Sequence, residues 1–379
     1  MFQPNYPHTD STFTLHPVVE RINAPPEFTG RGVVMAFIDS GFSPHPEILD
    51  RVLAHVDATT ERIIERTRYF HDRDFSWHGQ MTSVIAAGDG RTSQGRLYRG
   101  IAPDTKLILI KVSNLQGRIK EPDILRGMRW LLRHHARFGV RVVNVSVGGD
   151  DPNDDPDYAL HRAVHDLHKA GMVVTIAAGN ANAHSLVPPA SAPEAITVGG
   201  YDDHNQLDRT QWTLYHHNYG TAYDKTAKPE VSALAAWVAS PILPGSSMAR
   251  EARWLAMMLR ARDKATIDQM LLSGYGDLSL SRGQAFKPDE KTYALLQARI
   301  NAHKIIDSTH QHVDGTSVSA AVVAGVAALM IEANPRLTPT AIKEILMATA
   351  APLPNIPVQR QNAGVIDAAA AVRAAKRDA

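Results

Sequence analysis

Ser317 ends a polar turn, Asp314-Gly-Thr-Ser317, and a run of small and apolar residues follows it. This pattern predicts a helix that is buried on every side. The first backbone N–H groups of such a helix have no partner within it, and its dipole is positive at this end. Negative charge that develops on a substrate oxygen beside Ser317 would therefore be stabilised. An ordinary Ser/Thr cap ahead of a core helix explains the same pattern, so this segment alone leaves both interpretations open.

Two further residues have the types that would activate a serine hydroxyl. Asp39 follows the apolar run 33–38, which predicts a buried strand, and open α/β sheets place their chemistry at the carboxyl ends of strands. His78 starts a segment with helical spacing that Gly88 is placed to end. From there its ring can direct one nitrogen towards a carboxylate and the other towards a hydroxyl. A common Asp-Ser-Gly turn remains the alternative for Asp39.

The elements that must position these residues alternate between strand and helix. Apolar runs predict strands at 107–112, 140–147 and 172–177, and helices are expected at about 122–138 and 157–170. Strands that alternate with helices at this spacing predict a parallel sheet with helices on both faces. The expected fold class is therefore α/β, a three-layer fold with a mainly parallel central sheet.

Taken together, the motifs resemble those of the subtilisin-like (subtilase) serine peptidases. The resemblance covers roughly residues 25 to 245 and 310 to 372, and the residues follow the family's order of Asp, His and Ser. The motifs are Asp39-Ser-Gly, His78-Gly, Ser146-Val-Gly-Gly, Ala178-Gly-Asn180 and Gly315-Thr-Ser-Val-Ser.

The resemblance implies a catalytic role for each of these segments. A serine hydroxyl needs a base within hydrogen-bond reach, and the base needs a partner that fixes its tautomer. Ser317, His78 and Asp39 would fill these three roles. Asn180 would donate its side-chain amide to the oxyanion together with the Ser317 backbone N–H. The alternative for Asn180 by itself is a turn residue after Gly179.

The same resemblance assigns substrate-binding residues. They would pair with an extended substrate backbone as an added strand. They are Ser146, Val147, Gly148, Gly149, Ala178 and Gly179. Ala181 carries no charge and Leu186 and Val187 lie nearby, so we expect an apolar substrate side chain at the cleavage site. The acidic loop 150–157 is interpreted as a solvated loop, with cation binding or attraction of basic substrates as alternatives.

The chain departs from the family pattern in three places. Ala321 and Val322 stand where relatives usually have proline and histidine, which concerns packing more than chemistry. Only 38 residues precede Asp39, too few for an inhibitory prodomain of ordinary length. A helical insertion is expected at about 246–312, either a packed ornament or an element that gates the cleft. The predicted organisation is an arm over 1–30 and one peptidase domain over 31–379 that this insertion interrupts.

Composition excludes several other classes of function. The sequence has 379 residues, 40 basic and 39 acidic, so its charge suggests neither a nucleic-acid nor a membrane partner. Cysteine is absent, which excludes a thiolate metal site and a cysteine nucleophile. The helix after Ser317 is judged too short and too rich in alanine to span a membrane. No cofactor or metal is expected, although structural calcium is an alternative because it is frequent in the family.

The predicted function is that of a serine endopeptidase that acts on polypeptide substrates through an acyl-enzyme. Two alternatives remain: a catalytically silent scaffold used for binding, and a relative that ligates peptides. The N-terminus lacks the features of an export signal, which favours the cytoplasm, with a secreted mature form as the alternative. Oligomeric state is not predicted.

Overall fold

The computed structural model describes residues 1–8, 12–66 and 76–377. The strands, numbered in chain order, are β1 (Val34–Asp39), β2 (Val52–Asp57), β3 (Ile64–Arg66), β4 (Lys106–Lys111), β5 (Val140–Val145), β6 (Val173–Ala177), β7 (Ile196–Asp202), β8 (Thr213–Leu214), β9 (Gly220–Thr221), β10 (Ala227–Lys228), β11 (Val231–Leu234), β12 (Val238–Pro241) and β13 (His310–Val313). The helices are α1 (Val18–Arg21), α2 (Trp77–Ala87), α3 (Glu121–Phe138), α4 (Ala159–Lys169), α5 (Ser247–Leu259), α6 (Lys264–Gly274), α7 (Arg282–Phe286), α8 (Glu290–Ala302), α9 (Thr316–Ala333), α10 (Pro339–Thr349), α11 (Val358–Gln361) and α12 (Ala368–Arg377).

A twisted, mainly parallel sheet forms the centre of the molecule. Its strand order is β11-β7-β6-β5-β1-β4-β2-β3, and β8 pairs with β7. β3 and β8 run antiparallel to their neighbours, and the other pairs in this sheet are parallel. The carboxyl ends of β1, β5, β6 and β7 therefore lie along one edge. The predicted fold class is confirmed.

Both faces of the sheet are covered, which explains why its central strands are apolar along their whole length. β1 is buried at every position. One hydrophobic cluster packs α2, α9, α10 and α12 against one face, and a second packs α3 and α4 against the other. The predicted strands and helices of this region match the structure to within a few residues at their ends.

α9 is the central helix of the first cluster. It lies against β5, β6, β7 and β11 and also packs on α2 and α12. With 18 residues and a mean hydropathy of 1.8, it is long and apolar enough to cross a membrane by length and composition, so the expectation that it is too short is wrong. The window is 83% buried inside the fold, as in the core helix of a compact domain.

Residues 242–309, called the insertion below, carry helices α5 to α8. These helices enclose a third hydrophobic cluster that includes Leu255, Leu271 and Leu296. The insertion leaves the main body after β12 and returns through β13, and these two strands pair with each other. At the base of this hairpin, Ile242 N–H donates to Thr309 O over 2.8 Å.

The N-terminal segment is more ordered than an extended arm over 1–30 suggests. It contains the single-turn helix α1, and Leu15, Val18 and Ile22 are buried in the clusters of the main body. Phe2 is buried in the third cluster, so the start of the chain packs on the insertion. The sequence offered no periodicity there because these contacts are made by single side chains spaced along a coil.

Candidate active site

Asp39 is the last residue of β1 and is fully buried. Its Oδ1 accepts the Ser40 N–H and is 2.6 Å from His78 Nδ1, and its Oδ2 accepts the Thr82 hydroxyl over 3.0 Å. Several hydrogen bonds to one carboxylate fix its orientation. Asp39 is therefore held rigidly, with Oδ1 aimed at the His78 ring.

His78 is the second residue of α2, and the helix approaches β1 so closely because the next residue is glycine. A Cβ at Gly79 would be 2.2 Å from Gly41 O and 3.0 Å from Asp39 Cβ. Any larger residue would therefore push His78 away from the carboxylate. The ring itself is partly exposed, with 31% of the side chain accessible.

Two opposing effects act on the pKa of His78. Burial lowers it, whereas the negative charge of Asp39 and the hydrogen bond to that carboxylate raise it, and the net result is a pKa above the ordinary value of 6.5. The short contact also implies that Nδ1 carries the proton it shares with Asp39. The other nitrogen, Nε2, is then the one that can accept a proton.

Ser317 lies in the first turn of α9, as predicted, and is partly exposed. The N-cap residue of α9 is Gly315, which has φ 138 and no side chain that could cap the helix. The hydroxyl of Ser146, at the end of β5, donates to Ser317 O over 3.4 Å. Within the described residues, nothing accepts a hydrogen bond from the Ser317 N–H, so this donor is available at the helix N-terminus.

The pair Asp39–His78 and the turn that carries Ser317 are brought together by packing, since α2 lies against α9. No hydrogen bond links His78 to Ser317 within the described ranges, and hydrogen bonds between catalytic groups are often long or poorly aligned in structures without a substrate. The structure thus joins Asp39 to His78 directly, and Ser317 to its neighbours through the first turn of α9.

Asn180 is exposed at the end of β6, and one end of its amide is fixed. Its Oδ1 accepts the Thr316 N–H over 2.9 Å and the Thr316 hydroxyl over 3.0 Å. The Gly179 N–H in turn donates to the Thr316 Oγ1. Because Oδ1 is held in this way, Nδ2 is the end of the amide that remains for a substrate.

The predicted substrate segment leaves β5 beside the nucleophile turn. Ser146 is buried, Val147 and Gly149 are half-buried, and Gly148 is exposed. Gly149 N–H already donates to Pro188 O over 2.7 Å, so this donor is not available to a substrate strand. Ala178 is buried and Gly179 half-buried behind Asn180.

Several contacts in the site were not anticipated from the sequence. Thr82 lies four residues after His78, a spacing that places both residues on one face of a helix. The contact of Thr82 with Asp39 could therefore have been predicted from the sequence. Thr316 lies next to Ser317, but nothing in its sequence context reveals that it holds Asn180. The insertion also reaches the site, because Lys304 Nζ is 2.5 Å from Asp314 Oδ2, three residues before Ser317.

The adjacent histidines His216 and His217 have no sequence context that suggests a metal site, so the sequence alone predicts surface residues. This prediction is wrong for His217, because that side chain is fully buried. Its Nδ1 lies 2.9 Å from Gly200 N and its Nε2 lies 2.7 Å from Arg360 O. His217 therefore connects β7 to the segment around α11. In the described part of the chain, no three His, Cys, Asp or Glu side chains converge as a metal site.

Glu47 connects two loops near the C-terminal end of α2. The carboxylate is fully buried and accepts the Gly90 N–H over 3.0 Å, the Thr92 N–H and the Thr92 hydroxyl. The loop 89–96 is thus tied to the segment after Asp39 by hydrogen bonds from its own backbone.

A sequence model of the subtilase family matches residues 30–365. Among curated proteins, serine protease AprX of Bacillus subtilis is 28% identical over 330 residues, which cover 84% of this chain and 61% of AprX. Subtilisin BL of Lederbergia lenta is 30% identical over 241 residues, covering 61% of this chain and 78% of that protein. The chain therefore spans about three fifths of the length of AprX.

Solved structures show the same fold. A protease from Pseudoalteromonas arctica aligns with a TM-score of 0.63 at 22% identity, covering 98% of this chain and 99% of the other. Fervidolysin from Fervidobacterium pennivorans, described as a keratinolytic enzyme related to subtilisin, aligns with a TM-score of 0.63 at 19% identity and covers 98% of this chain and 49% of the other.

Proposed function

Because this chain belongs to the subtilase family, we propose that it is a serine endopeptidase that hydrolyses peptide bonds through an acyl-enzyme on Ser317. The observation that carries the proposal is the 2.6 Å contact between His78 Nδ1 and the buried Asp39 carboxylate. A contact of this kind fixes the imidazole tautomer that a serine nucleophile requires. The substrates proposed are polypeptides, with an apolar side chain at the cleavage site.

The first half of the reaction forms the acyl-enzyme. The Ser317 hydroxyl attacks the scissile carbonyl carbon while His78 Nε2 accepts its proton. Asp39 holds the ring in position and stabilises the imidazolium that results. The carbonyl oxygen becomes an oxyanion, for which Asn180 Nδ2 and the Ser317 N–H are the proposed donors. His78 then gives the proton to the leaving amine, and the C–N bond breaks.

The second half returns the enzyme to its starting state. Water enters, His78 Nε2 accepts one of its protons, and the hydroxide attacks the acyl carbon. The Ser317 oxygen leaves and is protonated by His78. A second peptide amine in place of water would give ligation, which is the alternative outcome at the same acyl-enzyme.

A fluorophosphonate probe tests the proposal directly, because it labels only an activated serine. We expect labelling to map to Ser317 and to disappear in Ser317→Ala. Ser319→Ala is a matched control: it removes the other serine hydroxyl of this turn, which donates to Ala233 O and Leu234 O within the core. That variant should keep its labelling. A folded wild-type chain that takes up no probe and cleaves no polypeptide would instead be the silent scaffold.

Mass spectrometry of the products separates hydrolysis from ligation. Hydrolysis in ¹⁸O-labelled water places the label on the new carboxyl group, whereas ligation joins two peptides without incorporating solvent oxygen. We expect the ¹⁸O-labelled product to predominate. A predominance of joined peptides would favour the ligating alternative.

A further inference from the structure

Trp237 has a backbone conformation that bulky residues rarely adopt. Its φ is 56, in the left-handed region that favours glycine. Such outliers persist where the surrounding structure imposes them, and they cluster at functional sites. The residue lies between β11 and β12, close to the turn that carries Ser317.

Hydrogen bonds on three sides hold Trp237 in this conformation. Its backbone N–H donates to Asp314 Oδ1 over 3.0 Å, and its indole Nε1 donates to Asp202 Oδ2 over 3.2 Å. Its carbonyl oxygen accepts from Arg21, whose guanidinium forms a fully buried ion pair with Asp203. Asp202 of β7 thus holds the indole, while the turn before Ser317 and α1 hold the backbone of Trp237.

Trp237 lines a cavity of about 580 Å³, called the Trp237 pocket below. The other residues of the lining include Tyr215, Leu214, Ile356, Asp202 and Asp314. An aromatic face next to carboxylates attracts a cation whose aliphatic stem can lie on the ring.

The charged groups of the pocket lining are the carboxylates of Asp202 and Asp314 and the guanidinium of Arg360. Burial raises the pKa of Tyr215 to about 12, and the negative charges of Asp314 and Asp202 add to this increase. Arg360, a cation of the lining, stacks over the Tyr219 ring and donates to Asn182 Oδ1. It forms no ion pair with either carboxylate, and Asp202 Oδ2 instead lies 3.5 Å from His204 Nδ1. Lys304 of the insertion pairs with Asp314 from outside the lining.

The position of the pocket relates it to the proposed substrate path. In the order β5-β6-β7, the segment Ser146–Gly149 follows β5, Asn180 follows β6, and Asp202 ends β7. The pocket and the segment 146–149 therefore lie on opposite sides of Asn180. A substrate strand that runs along 146–149 and passes Ser317 would continue towards Trp237.

We propose that the Trp237 pocket binds a lysine or arginine side chain of the polypeptide substrate, on the side of the scissile bond away from the part that lies along Ser146–Gly149. This inference rests on the proposed function and deepens it. It concerns a different subsite from the apolar side chain expected at the cleavage site beside Leu186 and Val187.

Quenched peptides test the proposal when Lys, Met and Glu are compared at each of several positions on both sides of the cleaved bond. On one side only, we expect one position at which Lys gives a kcat/KM roughly tenfold above Glu, a free-energy difference of about 1.4 kcal/mol. Lys should also exceed Met there. Equal rates for the three residues at every position would overturn the proposal.

Three variants link such a preference to the pocket. Trp237→Gly suits the left-handed backbone and removes the ring, so the Lys to Glu ratio should fall to within about twofold of one. Asp202→Asn should lower the ratio, and Lys304→Met should raise it because Asp314 loses its paired cation. Glu344→Gln, on the exposed side of α10, is the charge control and should leave the ratio unchanged. A wild-type ratio in Trp237→Gly would contradict the assignment.

Fluorophosphonate labelling distinguishes the two possible failures. If Ser317 is labelled and peptides are cleaved without the expected preference, only the pocket assignment fails. If Ser317 is not labelled, the proposed peptidase function fails, and the pocket assignment fails with it.

Discussion

The helices of the insertion begin differently from α2 and α9, the two helices of the proposed catalytic edge. This edge is the side of the sheet where Asp39, His78, Asn180 and Ser317 lie. α5, α6, α7 and α8 each have a serine or aspartate N-cap whose side chain accepts a backbone N–H of the first turn. α2 and α9, which carry His78 and Ser317, have no side-chain cap. Capping stabilises a helix by satisfying free N–H groups. At the catalytic edge, an uncapped start leaves such groups available for a substrate.

The two regions therefore divide stability and chemistry between them. The insertion encloses an apolar cluster, to which Phe2 also contributes, and each of its four helices begins with a side-chain cap. The catalytic edge keeps a charge buried and donors unpaired, and it depends on the sheet beneath it for rigidity. Substitutions in one region should accordingly change the reaction rate, and substitutions in the other should change the free energy of unfolding.

The largest expected effect is on the catalytic side of this comparison. Asp39→Asn keeps the shape of the side chain but favours the wrong tautomer of His78, so kcat should fall by about 10⁴-fold. Asp263→Asn makes the same chemical change at the N-cap of α6 and should leave kcat within about twofold, because N-caps contribute to stability and not to the reaction. Steady-state kinetics on one peptide measures both. Comparable decreases of kcat in the two variants would contradict the division between a catalytic and a structural region.

Asn180→Ala should have the next largest effect. Loss of one oxyanion donor costs about 3–4 kcal/mol of transition-state stabilisation, which corresponds to a 10²–10³-fold decrease in kcat. Thr316→Val removes the hydroxyl that donates to Asn180 Oδ1 but keeps the backbone N–H that also donates to it. The decrease in kcat should therefore be smaller than in Asn180→Ala. A KM increase with unchanged kcat in Asn180→Ala would assign the residue to substrate binding alone.

Removal of the insertion tests whether it gates the cleft. Because Ile242 and Thr309 are hydrogen-bonded at the base of a hairpin, residues 243–308 can be replaced by an Asn-Gly turn. We expect rates on a short peptide and on a folded protein to change by the same factor, within about tenfold, since exposed insertions are commonly tolerated. A gain confined to the folded protein would identify the insertion as a gate.

A smaller effect is expected when a cap in the insertion is removed. Asp263 accepts the Thr266 N–H over 2.8 Å, and Asp263→Ala should lower the free energy of unfolding by about 1 kcal/mol. Hydrogen exchange should show the loss of protection in the insertion helices, while labelling of Ser317 stays at the wild-type rate. A matching loss of protection in α9 would mean that the two regions unfold as one unit.

The smallest effects are pH dependences of opposite sign. The raised pKa of His78 stabilises the fold fully below the ordinary value of 6.5, and this contribution is lost as pH rises through the raised pKa. Burial raises the pKa of Glu251. Hydrogen bonds and charges from His303 and Arg299 lower this pKa by more than burial raises it, so the net pKa lies below 4.5. That contribution is present above 4.5 and is lost as pH falls through the lowered pKa.

Denaturation curves at several pH values measure both contributions. Asp39→Asn should remove the dependence near neutral pH, and Glu251→Gln should remove the acidic one. The peptidase rate should also rise through the raised His78 pKa, since the neutral ring is the base. A rate that falls over this interval would exclude His78 from that role.

The catalytic edge was largely predictable from the sequence because its signals are local. Asp39 ends an apolar run, His78 and Gly79 open a helix, and Ser317 precedes a run of small residues. Each pattern can be recognised within a dozen residues, and each proposed catalytic side chain sits at a strand or helix end, where the parallel sheet brings distant segments to one edge.

The contacts that the sequence did not reveal join single residues across long separations. Trp237 resembles any aromatic residue until its positive φ and its two carboxylate partners are known. Lys304 reaches Asp314 only because β12 and β13 pair. The helices of the insertion could be expected from their composition, whereas the way they dock depends on tertiary packing that periodicity does not encode.

The burial of Phe2 in the insertion's apolar cluster has a consequence for biosynthesis. Gln3 hydrogen-bonds to Gln297, a partner 294 positions further along the chain. On the ribosome Phe2 and Gln3 are made long before Gln297, so the unit that they complete can close only late in translation. Their segment must stay unengaged meanwhile, a period in which chaperones have access to it.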